Sequence, residues 1–141
     1  MRATQVGTVG RLSQALQILG ITVLAGFLVG VSIALGDFQE FSRVPGSVLL
    51  IFPLVAGGLL GMVVPQLSHA LASLLPMLLI SGVFGFGALV YPEYVAGRLG
   101  VEIASEVALQ KALQGVIFAL PLSIVGLLLG HFLAARWNET S

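Results

Sequence analysis

Four stretches of the chain run for about 20 residues without a charged side chain, the length a helix needs to cross the hydrocarbon core of a bilayer. They cover 12–35, 46–64, 70–91 and 112–135. Arg11 and Asp37 bound the first, Pro65 stops the second, Pro92 stops the third, and Arg136 closes the fourth. In lipid each backbone N–H and C=O must be satisfied inside the protein, so the runs predict helices. A water-facing alternative is closed off by composition. Only 9% of the 141 residues are charged and the mean hydropathy is +1.08, whereas a soluble domain carries about 25% charged residues. The expected fold is all-α: an integral membrane bundle of four transmembrane helices forming a single domain over residues 1–141. The first apolar run is longer than the roughly 7–15 residues of a signal peptide, so it is read as a span.

The formal net charge is zero, which leaves no electrostatic footprint for nucleic acid. The chain has no cysteine, which excludes disulfides, iron–sulfur clusters and zinc–thiolate sites. Four spans put both termini on the same side of the membrane. Arg2, Arg11 and Arg136 lie on that side, and Arg43, Arg98 and Lys111 lie opposite, so the positive-inside count is tied. The net positive terminal side favours termini in the cytoplasm. Tyr91, Tyr94 and Trp137 fit the aromatic belts at the two interfaces.

The connections carry information as well. "PQLSH" at 65–69 is short and predicts that spans two and three are antiparallel neighbours. The link at 92–111 is longer. In it Arg98, Glu102, Glu106 and Gln110 recur every four residues, with Leu99, Ile103 and Val107 beside them. That pattern predicts an interfacial amphipathic helix between helices 3 and 4, starting near the helix-weakening Gly97 and Gly100, either lying on the membrane surface or extending span four.

Apolar burial cannot draw helices together in lipid, so close packing through small residues must. Each span has such residues four apart: Gly26, Gly30 and Ala34; Gly57 and Gly61 after Pro53; Ser81 and Gly85; Gly126, Gly130 and Ala134. These stripes serve packing within the bundle, or one of them faces a second chain. "PLVAGGLL" at 53–60 and "PLSIVGLL" at 121–128 both place a proline five residues before a glycine and two leucines. The match hints at two helical hairpins of one design, although such residues are common in spans. Pro53, Pro76 and Pro121 each remove a backbone donor inside a span and can kink it.

Membrane pathways usually place an ionisable residue inside a span. Only His131 comes near, just inside the boundary marked by Arg136 and Trp137, and His69 begins span three on the same side. Two histidines at similar depth on different helices could bind one haem b, or a quinone. Haem would show as a Soret band in the purified protein. The plainer expectation is an interfacial histidine bonded to a carbonyl, water or lipid headgroup. At the other end Asp37, Glu40, Glu93, Glu102 and Glu106 gather. Glu102 and Glu106 sit one helical turn apart, where like charges repel, so they mark either a solvated face or one that meets a basic partner. "NET" at 138–140 has the glycosylation pattern but would face the cytoplasm in this orientation.

The spans hold no lysine, no HExxH motif and no glycine-rich phosphate loop, and no serine has an evident base beside it. The sequence therefore reads as a small polytopic membrane protein, a non-catalytic accessory or assembly subunit of a larger membrane complex, with the balance against an enzyme. Its partners would be membrane lipids, other membrane subunits or copies of itself. The alternatives are a small homo-oligomeric transporter or channel, and a subunit that binds haem or quinone through His69 and His131.

Overall fold

A computed structural model describes residues 2–37, 45–97 and 100–139. The described residues are helical almost throughout: α1 (Arg2–Asp37), a single turn α2 (Gly46–Leu49), α3 (Ile51–Val63), α4 (Leu67–Ala96) and α5 (Val101–Glu139). Four helical stretches are long and apolar enough to span a membrane, Gly10–Asp37, Gly46–Val63, Leu67–Pro92 and Val101–Trp137. The chain is thus an all-α, multi-pass membrane protein.

Local chemistry sets the breaks. Pro65 drives the preceding Val64 to an extended conformation (φ −89°, ψ 110°), which ends α3. Gly97 ends α4 with φ 62°, a left-handed conformation that a Cβ would disfavour. The interruption at Leu50, between α2 and α3, follows from Pro53. A proline at this position cannot donate to the carbonyl four residues back, Leu49, and its ring crowds that carbonyl. The freed Leu49 oxygen instead accepts a 2.8 Å hydrogen bond from the Ser32 hydroxyl of α1. Pro53 therefore lies in the first turn of α3, where a missing N–H is tolerated. Pro76, Pro92 and Pro121 lie inside continuous helices, so Pro92 does not stop the third helix, which runs on to Ala96.

The helices pack as two stacked hairpins. The first is α1 with α2–α3, the second α4 with α5. The most extensive interface is α3 on α5, followed by α1 on α4. Both interfaces are parallel. Gly57 lies at Ser123 and Gly61 at Leu127, while Gly26 lies at Met77 and Gly30 at Ser81 and Phe84. The contact between α3 and α4 is slight. The tight turn at 64–66 therefore crosses the diagonal of the bundle, and the expectation that spans two and three are neighbours is wrong. A short loop fixes only where the next helix starts. The glycine surface of α3 fits α5, and α4 is left to pair with α1. Successive hairpins stack in this way in repeat proteins.

Of the two placements left open for the amphipathic stretch, the structure has the one that extends span four. Residues 101–111 are the first turns of α5 and run into the fourth span without a break. No glycine or proline separates 101 from 114, so nothing in that stretch stops the helix. Its buried face is also not Ile103 and Val107, which are exposed, but Ala104, Ala108 and Ala112. Methyl-sized side chains admit a neighbouring helix, and the bulkier ones turn outward. Similar sorting holds elsewhere: Leu75, Leu79, Val83, Ile117 and Phe118 are exposed, while Ala25, Ala56, Ala70 and Ala119 are buried.

A methyl group on Gly126 would overlap the Leu54 carbonyl oxygen, whereas one on Gly87 would meet nothing within 4 Å. Gly126→Ala should therefore destabilise the folded protein by about 1–3 kcal/mol through overpacking. Gly87→Ala should be neutral or stabilising by up to about 1 kcal/mol. Thermal unfolding in detergent, followed by circular dichroism, measures both.

Candidate functional site

The polar side chains of the described residues collect at the two ends of the bundle, leaving the middle to glycine, alanine and serine. At the end where α1 stops and α5 begins, a cavity of about 380 Å3 opens between α1, α2, α3 and α5. Its walls are apolar: Ile33, Leu49, Leu50, Pro53, Phe118 and Leu122. Its polar groups are Ser32, Asp37, Lys111 and Gln114. Lys111 Nζ donates to Asp37 Oδ1, joining the C-terminus of α1 to α5. Asp37 is disfavoured at the carbonyl end of a helix, where the dipole is negative, and the lysine ammonium offsets both charges. The side chains remain 45% and 30% exposed for Lys111 and Asp37, so solvent screens the pair and its worth is small.

A second cavity of about 420 Å3 opens at the opposite end, between α1 and the turn into α4. Arg11, Gln14, Ala15 and Ile18 line it from one face of α1, and Val64, Pro65, Gln66 and His69 line it from the turn and the start of α4. His69 is thus placed beside Arg11. His131 is not in this lining. It is half-buried on α5, with its backbone nitrogen against Gly61 of α3 at 2.8 Å from where a Cβ would stand. Neither of the two cavities has both histidines in its lining. Among the described residues no group of three or more His, Cys, Asp and Glu side chains is placed to hold a metal ion.

The small residues singled out in the sequence lie at two seams. In the α1–α4 seam a Cβ on Gly26 would stand 2.8 Å from the Met77 oxygen, one on Gly30 3.1 Å from the Ser81 oxygen, and one on Gly85 3.1 Å from Ile33 Cγ2. Ser81 is fully buried there and donates to the Leu78 carbonyl at 2.8 Å. In the α3–α5 seam, Cβ atoms on Gly57, Gly61, Gly126 and Gly130 would overlap the carbonyl oxygens of Ser123, Leu127, Leu54 and Gly58. The phrases at 53–60 and 121–128 therefore lie side by side. The glycine hydrogens point at carbonyl oxygens, the geometry of weak Cα–H···O contacts.

Buried hydroxyls are mostly satisfied within the backbone. Thr22 donates to the Ile18 carbonyl and Ser73 to the Ala70 carbonyl, each at 2.7 Å. Ser123 differs: it is fully buried and its Oγ has no hydrogen-bond partner among the described residues. Glu102 and Glu106 are exposed at the start of α5, and the Glu102 carbonyl accepts from Ser105 at 2.8 Å. Glu40, Arg43 and Arg98, the side chains of Arg2, Glu93, Tyr94 and Asn138, and Thr140 of the glycosylation pattern lie outside the described residues.

The Asp37–Lys111 pair was not found from the sequence, although a signal was there. Asp37 is the first charge after span one and Lys111 the last before span four, so both flank spans at the same end. Compared with protein-family models, curated proteins and solved structures, the chain matches none.

A double-mutant cycle on Asp37→Asn and Lys111→Gln should return a coupling of about 0.2–1 kcal/mol that shrinks as salt is raised. Thermal unfolding at low and high ionic strength reads it. Ser32→Ala, which leaves the buried Leu49 carbonyl without its donor, should cost more, about 1–3 kcal/mol.

Proposed function

We propose that the chain is a non-catalytic subunit that assembles with a larger membrane protein, with both termini on the cytoplasmic side. One observation carries this reading: the membrane interior of the bundle holds backbone contacts where a catalyst or an ion pathway would hold ionisable groups. The α3–α5 seam is closed by glycine against carbonyl oxygen at four positions. Such an interior gives rigidity and shape, and the buried polar side chain in that seam among the described residues is the Ser123 hydroxyl, which has no hydrogen-bond partner to activate it. The surface on which a partner would act is the water end of α5, where Glu102 and Glu106 stand exposed among the exposed Val101, Ile103 and Val107. Acidic groups set among apolar ones suit a partner helix that brings lysine or arginine.

A second reading, a small homo-oligomeric transporter or channel, draws support from the two cavities at opposite ends of the bundle. It differs in stoichiometry. A transporter of this size would be a symmetric oligomer of this chain alone and would carry solute across liposomes.

The full-length chain, tagged and purified in mild detergent from its own membranes, should bring down a larger membrane protein at fixed stoichiometry. Glu102→Lys with Glu106→Lys should release that protein while leaving the bundle folded. A homo-oligomer with solute flux and no second chain would instead establish the transporter reading. Mass spectrometry of the complex and an absorption spectrum separate these outcomes, and a Soret band would place haem on the histidines.

A further inference from the structure

We infer that the cavity between α1 and the start of α4 is a binding site for the phosphate of an anionic phospholipid in the leaflet on the terminal side. Its polar lining consists of the Arg11 guanidinium, the His69 imidazole and the amides of Gln14 and Gln66, with no carboxylate. Every one of these groups can donate a hydrogen bond, and Arg11 is a permanent cation. Among the described residues neither Arg11 nor His69 has a side-chain hydrogen bond or ion-pair partner. The cavity at the opposite end also holds a cation, but Lys111 is already paired with Asp37. Of the two cavities, only this one has an unpaired cation in its lining among the described residues, and a guanidinium matches phosphate oxygens in a two-pronged geometry.

The rest of the lining grades from polar to apolar in the direction a lipid would lie. Arg11 and Gln14 stand toward the end of the bundle, and Ile18 and Val64 form the inner wall. Toward the membrane centre on the same faces, Leu19 of α1, one turn beyond Ala15, and Pro76 of α4, two turns beyond His69, are exposed. Acyl chains have apolar surface to follow there. A free phosphate ion would use the same donors but none of that surface. α4 also begins at this cavity, and its first-turn N–H groups add positive potential to the Arg11 charge. This inference rests on the membrane bundle and the cavity, and holds whether or not a partner subunit is found.

The test is native mass spectrometry of the detergent-solubilised full chain, titrated separately with phosphatidylglycerol, phosphatidylcholine and inorganic phosphate. Phosphatidylglycerol should bind about tenfold more tightly than phosphatidylcholine, a difference on the order of that from one charge-assisted contact. The double variant Arg11→Gln, His69→Gln should lose this preference. Both side chains are exposed, so the variant should keep its helical content and its unfolding temperature. Lys111→Gln, which removes a cation at the other end, should leave the preference intact. Equal binding of the two lipids would overturn the site, as would a preference that survives in the double variant. Inorganic phosphate displacing phosphatidylglycerol at a comparable concentration would overturn the lipid assignment and leave an anion site.

Discussion

The close approach of α3 and α5 is the contact on which the rest of the bundle depends. In lipid, association gains little from burying apolar surface, because acyl chains are as apolar as leucine. What remains is dispersion between surfaces near enough to touch, with weak Cα–H···O contacts added. Gly57, Gly61, Gly126 and Gly130 permit that approach, since any side chain at these positions would enter a facing carbonyl. Once α3 lies parallel to α5, the chain must carry α4 across the diagonal, and α1 is left to pair with α4 through Gly26, Gly30 and Gly85. The two seams thus fix the stacking of the hairpins.

Pro53 links this packing to the cavity at one end. By withholding a donor from the Leu49 carbonyl it separates α2 from α3, and the released oxygen holds Ser32 of α1. Leu49, Pro53 and Ser32 all line the cavity that Asp37 and Lys111 border. One missing N–H therefore shapes both the break in span two and the wall of a cavity. Pro121, its counterpart in the repeated phrase, produces no break, because it falls well inside the long helix α5.

Much of the fold was legible in the sequence because a bilayer imposes a length and forbids charge, and both show directly in a run of residues. The four spans and the glycine break after α4 needed nothing more. Neighbour relations were less legible. The short turn at 64–66 suggested that α3 and α4 pack together, yet a turn constrains one end of two helices and the seams constrain their whole length. The periodicity of residues 101–112 marks Ile103 and Val107 as an apolar face but does not say whether that face meets lipid or another helix, and the structure leaves both exposed. In a membrane the larger apolar residues can face lipid while Ala104, Ala108 and Ala112 admit the neighbour. The Asp37–Lys111 pair spans 74 positions, and only the packing of α1 near α5 brings it together. The neighbours of His69 were hidden for the same reason. The sequence offered His131 as its partner; the structure places His69 in the lining of a cavity that Arg11 also lines.

The central claim is that two parallel helix seams, α3 with α5 and α1 with α4, organise the membrane domain. The chain has no native cysteine, so disulfide scanning in native membranes tests the claim directly. A cysteine at Gly58 of α3, where an added Cβ would stand 3.6 Å from the Gly126 oxygen, would be paired in turn with cysteines through 122–133 of α5 and through 71–83 of α4. Cross-linking should peak within the α5 series, and moving the α3 cysteine from Gly58 to Leu54, one turn earlier on the same face, should shift that peak toward lower α5 numbers. Efficient cross-linking to the α4 series instead would make spans two and three neighbours and contradict the account.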